Sequence, residues 1–166
     1  MLEEYREIIN RLVIAFQHFP TSANSPGYMR AQYEPETTSV SDIVGTGTEC
    51  RLRVINSGPV VWLACPKRTA GAVWFDSQLL CDGKPVAGQD AHLPLRHDVF
   101  PAQFYEVSVP LVLLRPGTYM LQVGLTCRGG LSFEQLGTPP VRIPVTIEET
   151  DRPRGRGRHR ATGPGT

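Results

Sequence analysis

Trp74, Asp76 and Gln78 alternate along one short stretch, Val73-Trp74-Phe75-Asp76-Ser77-Gln78-Leu79. An indole beside a carboxylate and an amide suits a sugar, because a flat aromatic face covers the apolar side of a pyranose while the polar groups take its hydroxyls. The same three side chains suit a protein contact, since an exposed Trp marks an interaction surface more often than not. Strand periodicity puts Val73, Phe75 and Leu79 on the opposite face, so the three candidates share the outer one. A protein contact is favoured over sugar here, and Trp62, within the apolar run Val60-Val61-Trp62-Leu63, is assigned to the core.

A second group, Asp90, His92, His97 and Asp98, surrounds Leu93-Pro94. Imidazoles and carboxylates suit zinc. The spacing matches no ligand pattern and no helix presents the pair. The plainer reading is a solvated loop between two strands, and neither a metal nor a cofactor is expected. Catalytic patterns are missing. No Ser stands in a GxSxG elbow, and no carboxylate pair sits where two environments would split its acidities. Gly45-Thr46-Gly47 lacks the Lys and the following helix of a phosphate loop. The chain reads as a non-enzyme.

The elements that must position these residues are strands. Arg115-Pro116-Gly117 makes a turn, and strict alternation follows. Tyr119, Leu121, Val123, Leu125 and Cys127 take one face; Thr118, Met120, Gln122, Gly124 and Thr126 take the other. Tyr119, just after the turn, stands where a sandwich keeps a tyrosine corner, its hydroxyl bonding backbone upstream. Strands are expected at 28–33, 37–44, 48–56, 60–65, 71–80, 102–113, 118–127 and 140–148. Turns fall at Asn56-Ser57-Gly58, Asp82-Gly83 and Arg128-Gly129-Gly130, and Pro144 indicates an edge position. Seven to eight short strands with no intervening helix predict an all-β antiparallel sandwich of Ig-like or fibronectin-III-like type over 28–149.

The ends differ from the middle. Leu2, Tyr5, Ile9, Leu12, Val13 and Phe16 recur at helical spacing and predict an amphipathic helix over 1–19. The polar stretch 20–27 reads as a linker that detaches it, so the helix is expected to dock on a partner. Residues 150–166 carry almost no apolar surface and are expected to be disordered. That tail holds five Arg against one Asp, a charge of +4, which leaves residues 1–150 at −3 within the overall +1. A near-neutral body exerts no general pull on nucleic acid. An anion- or nucleic-acid-associated role through the tail remains the alternative.

No basic leader precedes an apolar run near Met1, and no run is long enough to span a bilayer. The expected location is cytoplasmic. Cys50, Cys65, Cys81 and Cys127 form no CxxC pair. Cys50 opens its strand and Cys127 closes a strand running the same way, which places them too far apart to bridge. Reduced thiols are expected.

Several motifs recur in order: Leu52-Arg53-Val54-Ile55-Asn56-Ser57-Gly58 with Trp62 after it, Asp82-Gly83-Lys84, Leu93-Pro94, Asp98-Val99-Phe100-Pro101, the stretch Arg115 to Val123, and Phe133 with Gly137. In this order they resemble an Ig-like accessory domain found beside bacterial glycosyltransferases and methyltransferases of polysaccharide and cell-surface pathways. They look more distantly like the sugar-binding sandwiches of polysaccharide exporters. The resemblance implies a non-catalytic docking module serving such an enzyme, through protein or carbohydrate contacts. The partner is then that enzyme, or a second copy of this chain met through the helix. Two departures stand out. Asp76-Ser77-Gln78-Leu79-Leu80 replaces an aromatic and His-rich segment, and Pro101-Ala102 replaces a Pro-Gly turn.

If the helix docks on a partner, removing residues 1–20 leaves a folded monomer by light scattering and thermal melting. If it completes the core, loss of its six large apolar side chains, at ~1.5–3 kcal/mol each, makes the truncated chain aggregate.

Overall fold

The computed structural model describes residues 6–7, 20–37, 40–43, 48–64, 70–112 and 115–149. The predicted docking helix (Leu2, Tyr5, Ile9, Leu12, Val13, Phe16), Cys65 and the tail from 150 lie outside the described residues. Among the described residues nine strands form two sheets. β1 (Ala31–Pro35), β3 (Thr48–Asn56) and β6 (Phe104–Leu111) make the smaller one, in the order β1-β3-β6. The larger holds β2 (Val40–Ile43), β4 (Val73–Cys81), β5 (Lys84–Pro94), β7 (Gly117–Cys127), β8 (Leu131–Ser132) and β9 (Val141–Glu148). Its order is β2-β9-β7-β4-β5, with the short β8 against β7.

The chain changes sheets between β1 and β2. β1 pairs antiparallel with β3, whereas β2 runs parallel to β9, Val40 opposite Val145. This corrects the expectation of a wholly antiparallel sandwich. An early strand that starts in one sheet and finishes beside the last strand of the other is an Ig-like arrangement, and it closes one side of the sandwich. The described β2 pairing begins one residue after Pro144. β9 lies between β2 and β7, with Pro144 opposite Met120 of β7, so the expectation that Pro144 marks an edge strand does not hold.

β6, β9 and most of β4 and β7 alternate buried and exposed, and the inner faces of the two sheets meet. Leu52, Val54 and Val109 from the smaller sheet face Phe75, Leu121, Val123, Leu125, Ile143 and Val145 from the larger. Trp62 is fully buried, as its sequence neighbours suggest, and meets the Phe133 ring edge-on at 5.4 Å. The Tyr119 hydroxyl donates to the Arg115 carbonyl at 3.1 Å, which is the predicted tyrosine corner. Cys50, Cys81 and Cys127 are free thiols. Burial pushes the pKa of the Cys50 and Cys127 thiols up, and the Glu36 charge pushes Cys50 up further, so both are kept protonated.

Several expected boundaries move. Residues 60–65 make only isolated bridges, Val61 to Thr21, Trp62 to Val99 and Leu63 to Ala72. Residues 28–33 give way to a 3-10 turn at Pro26–Tyr28 followed by β1. Strand β5 and the short β8 are additions. Asp82 and Gly83 both take positive φ, 49° and 75°, the backbone a two-residue I′ hairpin needs.

The segment 20–27, read as a detaching linker, is laid against the sandwich. Ser22 is buried, donating its hydroxyl to the Gly71 carbonyl at 2.5 Å and accepting the Leu63 N–H at 3.0 Å. Gly71 permits this approach, because a Cβ there would stand 2.2 Å from Ala23 Cα. The Val61 N–H bonds the Pro20 carbonyl at 2.9 Å, so a truncation that removes only the helix must keep Pro20.

Asn56, at the end of β3, is a buried hub. Its amide nitrogen donates to the Val60 carbonyl at 2.8 Å and the Val99 carbonyl at 2.9 Å, and its amide oxygen accepts the Gly58 N–H at 3.1 Å. Removing it leaves the Gly58 N–H and the Val60 carbonyl without this partner, while the Val99 carbonyl keeps only the Trp62 N–H. At about 1 kcal/mol for each lost bond, Asn56→Ala costs about 3 kcal/mol, read as a lower denaturant midpoint at unchanged slope.

Candidate functional site

The outer face of the larger sheet is a grid set by strand register. Trp74, Asp76 and Gln78 project outward from β4, because Val73, Phe75, Ser77 and Leu79 take the core side. Opposite them on β5 stand Pro94, His92 and Asp90; on β7 stand Thr126, Gly124 and Gln122. Gln122 continues the row to Arg142 on β9, whose Nε donates to its amide oxygen at 3.2 Å.

In the middle row Asp76 ties β5, β4 and β7 together. One carboxylate oxygen lies 2.5 Å from His92 Nδ1, and the other accepts the Thr126 hydroxyl. The Asp76 side chain is 36% exposed and that of His92 72%, so water screens the pair and its contribution to stability is small. Its effect is geometric: it fixes the carboxylate plane and leaves His92 Nε2 facing out.

A wall rises along one side of this grid. The segment from Leu131 to Pro140 brings Ser132, Glu134, Thr138 and Pro140 to the edge of a groove of about 350 Å³. Its floor includes Asp76, Gln78, Gln122, Gly124 and Thr126, with Asp90 and His92 beyond. Phe133 anchors the wall. Its ring is buried against Trp62, its N–H bonds the Leu125 carbonyl at 2.9 Å, and its own carbonyl accepts the Thr138 N–H at 2.9 Å. At Gly124 the missing side chain deepens the floor. A Cβ there would meet only Pro140 Cβ, at 3.5 Å.

Charge in the groove has one sign. Asp76, Asp90 and Glu134 line it, and His92 is its one basic side chain; neither Lys nor Arg is among the lining residues. Among the described residues the Asp90 and Glu134 carboxylates have no ion-pair partner. The outer face of the smaller sheet contrasts with this. There Arg53 pairs with Glu106 at 3.3 Å and lies 4.4 Å from the Phe104 ring centroid, so its charges are mutually satisfied.

Of the three residues singled out on β4, Asp76 and Gln78 line the groove. Trp74 shares their face one row further along, half-buried between Pro94 and Thr126, and does not line it. The cluster Asp90, His92, His97 and Asp98 comes apart. Asp90 and His92 are on β5, not in a loop. His97 stacks on Tyr105 with ring centroids 5.1 Å apart, and Asp98 accepts the Ala64 N–H at 2.7 Å. No group of three or more His, Cys, Asp or Glu side chains among the described residues is placed to hold a metal ion. Gln122, Gly124 and Thr126 belong to the site through the polar alternation of β7, a signal visible in the sequence. Glu134 carries no such signal. A second cavity of about 570 Å³ lies between β5 and β6, over Tyr105 and Val107. It is the open seam between the two sheets.

No protein-family model and no curated protein sequence matches the chain. Solved structures similar to it share little sequence. A CARDB domain from Pyrococcus furiosus, in complex with di-metal ions, is 10% identical with a TM-score of 0.47, over 73% of this chain and 90% of that one. A β-glucosidase from Listeria innocua, in complex with glucose, is 12% identical with a TM-score of 0.48, over 72% of this chain but 16% of its own. A PapD-like domain of human CEP192 is 12% identical with a TM-score of 0.35, over 75% and 87% of the two chains. No helix among the described residues is long and apolar enough to cross a membrane.

Gly124 offers a direct probe of the groove. Its φ is not in the left-handed region and a Cβ has room. Gly124→Ala is therefore expected to raise stability by up to ~1 kcal/mol, since Gly in a strand costs backbone entropy. The measurement is the denaturant midpoint.

Proposed function

We propose that this chain is a non-catalytic binding module and that the outer face of its larger sheet is the contact surface. The observation that carries the reading is the groove. It has a rigid floor of alternating polar side chains and a wall locked into the core by Phe133. The carboxylates of Asp90 and Glu134, without an ion-pair partner among the described residues, are available to a ligand. Rigid placement lowers the ordering cost of binding.

The partner is a protein, with a glycosyltransferase or methyltransferase of a cell-surface pathway as the class suggested by the sequence motifs. A lining of three carboxylates without Lys or Arg favours basic side chains over neutral hydroxyls. Gln78 and Gln122 supply paired donors and acceptors that orient a backbone or side-chain amide. Trp74, a row away, extends the contact with apolar area. The helix over 1–19 is a second docking element, and the working site is cytoplasmic. The glycan is a second reading. It is favoured by the same amides and by Trp74, which would stack on a sugar ring beside them.

A photo-crosslinking residue at position 74 tests this. The outer face of the larger sheet is expected to form an adduct with a partner protein. A crosslinker at Glu34, on the outer face of the smaller sheet, is expected to form none. Equal adducts from both positions overturn the reading. A glycan ligand shows instead as perturbed side-chain amide resonances of Gln78 and Gln122 when oligosaccharides are titrated, with no protein adduct.

A further inference from the structure

The groove is acidic, and the same chain carries a run of opposite charge. Arg152, Arg154, Arg156, Arg158 and Arg160 occupy every second position of Asp151-Arg-Pro-Arg-Gly-Arg-Gly-Arg-His-Arg160. An extended backbone puts alternate side chains on one face, ~6.8 Å apart. In the groove Asp76 faces His92 across the β4–β5 ladder, and Asp90 is its diagonal neighbour, two residues before His92. Diagonal cross-strand neighbours lie ~7–8 Å apart. The arginine period therefore matches the separation of these two acids, and Glu134 closes the opposite wall.

Reach is sufficient. β9 runs from Val141, next to the groove-lining Pro140, away to Glu148. That is seven steps, or ~23 Å at ~3.3 Å per residue. Ten residues beyond Glu148, Arg158 has up to ~33 Å of chain to come back with, and Arg156 has up to ~26 Å. The later arginines of the run can thus return to the groove of their own chain.

We propose that the later arginines of the run, Arg156, Arg158 and Arg160, dock in cis in the acidic groove between Asp76, Asp90 and Glu134 and occupy it until a partner displaces them. The inference rests on the reading of this groove as the contact surface and adds its regulation. A tenant of the partner's own charge lowers affinity for weak competitors and passes only ligands that outbid it. Binding of this kind weakens with salt.

The test uses the full chain, freed of nucleic acid with nuclease. Trypsin cleaves after Arg154, Arg156, Arg158 and Arg160, while Pro153 blocks Arg152. Loss of the tail is timed by intact mass spectrometry. The comparison is the double variant Asp90→Asn, Glu134→Gln, which removes two carboxylates that have no partner among the described residues. A thermal melt checks that the variant is folded.

At ~0.2–1 kcal/mol for each exposed pair, two pairs give roughly a two- to thirtyfold slower loss of the tail in the native chain than in the variant. The protection is expected to vanish in high salt and to be independent of protein concentration. Equal rates in the two proteins overturn the proposal. So does protection that grows with protein concentration, which would place the tail on a neighbouring molecule, and so does protection that disappears on nuclease treatment, which would place it on nucleic acid. Failure here leaves the position-74 adduct intact, whereas failure of the contact surface removes that adduct whatever the cleavage rates show.

Discussion

The Asn56 amide holds together the end of the sandwich on which the rest is built. Three backbone segments converge on it: the turn at Gly58, the chain at Val60 and the chain at Val99. Without it the Gly58 N–H and the Val60 carbonyl would lose this partner, and a protein interior penalises an unsatisfied group by more than a made bond returns. Its main chain is committed as well, bonding Gln103 and Ala102 before β6 begins. With those segments pinned, Trp62 enters the core through paired bonds with Val99 and presents its edge to Phe133. Phe133 in turn fixes the wall of the groove. A single buried amide thus reaches the candidate site through packing alone, without touching it.

The two faces of the sandwich divide the remaining labour. The smaller sheet neutralises its own outer charges through Arg53, Glu106 and Phe104, and it places Pro110 in its edge strand, where a missing N–H discourages further pairing. The larger sheet leaves acids unmatched and a glycine at its centre. Unmatched charge in water costs little to keep, yet it stays available to a ligand of opposite sign.

Much of the framework was legible along the chain. Residues 118–127 and 140–148 alternate strictly, and each became a strand within one residue of its expected limits. Tyr119 declared its corner because the Pro116-Gly117 turn places it. The outward set Trp74, Asp76 and Gln78 followed from the apolar residues between them. Strand β5 was not legible. Lys84-Pro85-Val86-Ala87-Gly88-Gln89-Asp90 has little β-branched content, and a register shift between Gln78 and Leu80 interrupts its pairing with β4. It is a strand because the Asp82-Gly83 hairpin delivers it to the edge of β4, not by propensity. Val60-Val61-Trp62-Leu63 erred the other way. It is apolar enough for a strand, but it is buried as filling between sheets, where neighbours offer only isolated bridges.

Periodicity and turn chemistry are local, so the sequence by itself determined the strictly alternating strands such as 118–127 and 140–148, which face of each is apolar, and where Gly and Pro bend the chain. It also determined the charge of each end, including the period-two arginines. Register between strands distant in sequence is not local. Only the tertiary structure decided that Asp76 meets His92 and Thr126, that His97 and Asp98 go elsewhere, and that Glu134 overlooks Gly124. A polar side chain in a strand has no intrinsic partner; the partner is whatever the neighbouring strand sets opposite, and the packing of Phe133 and Trp62 settles that only when the whole core closes.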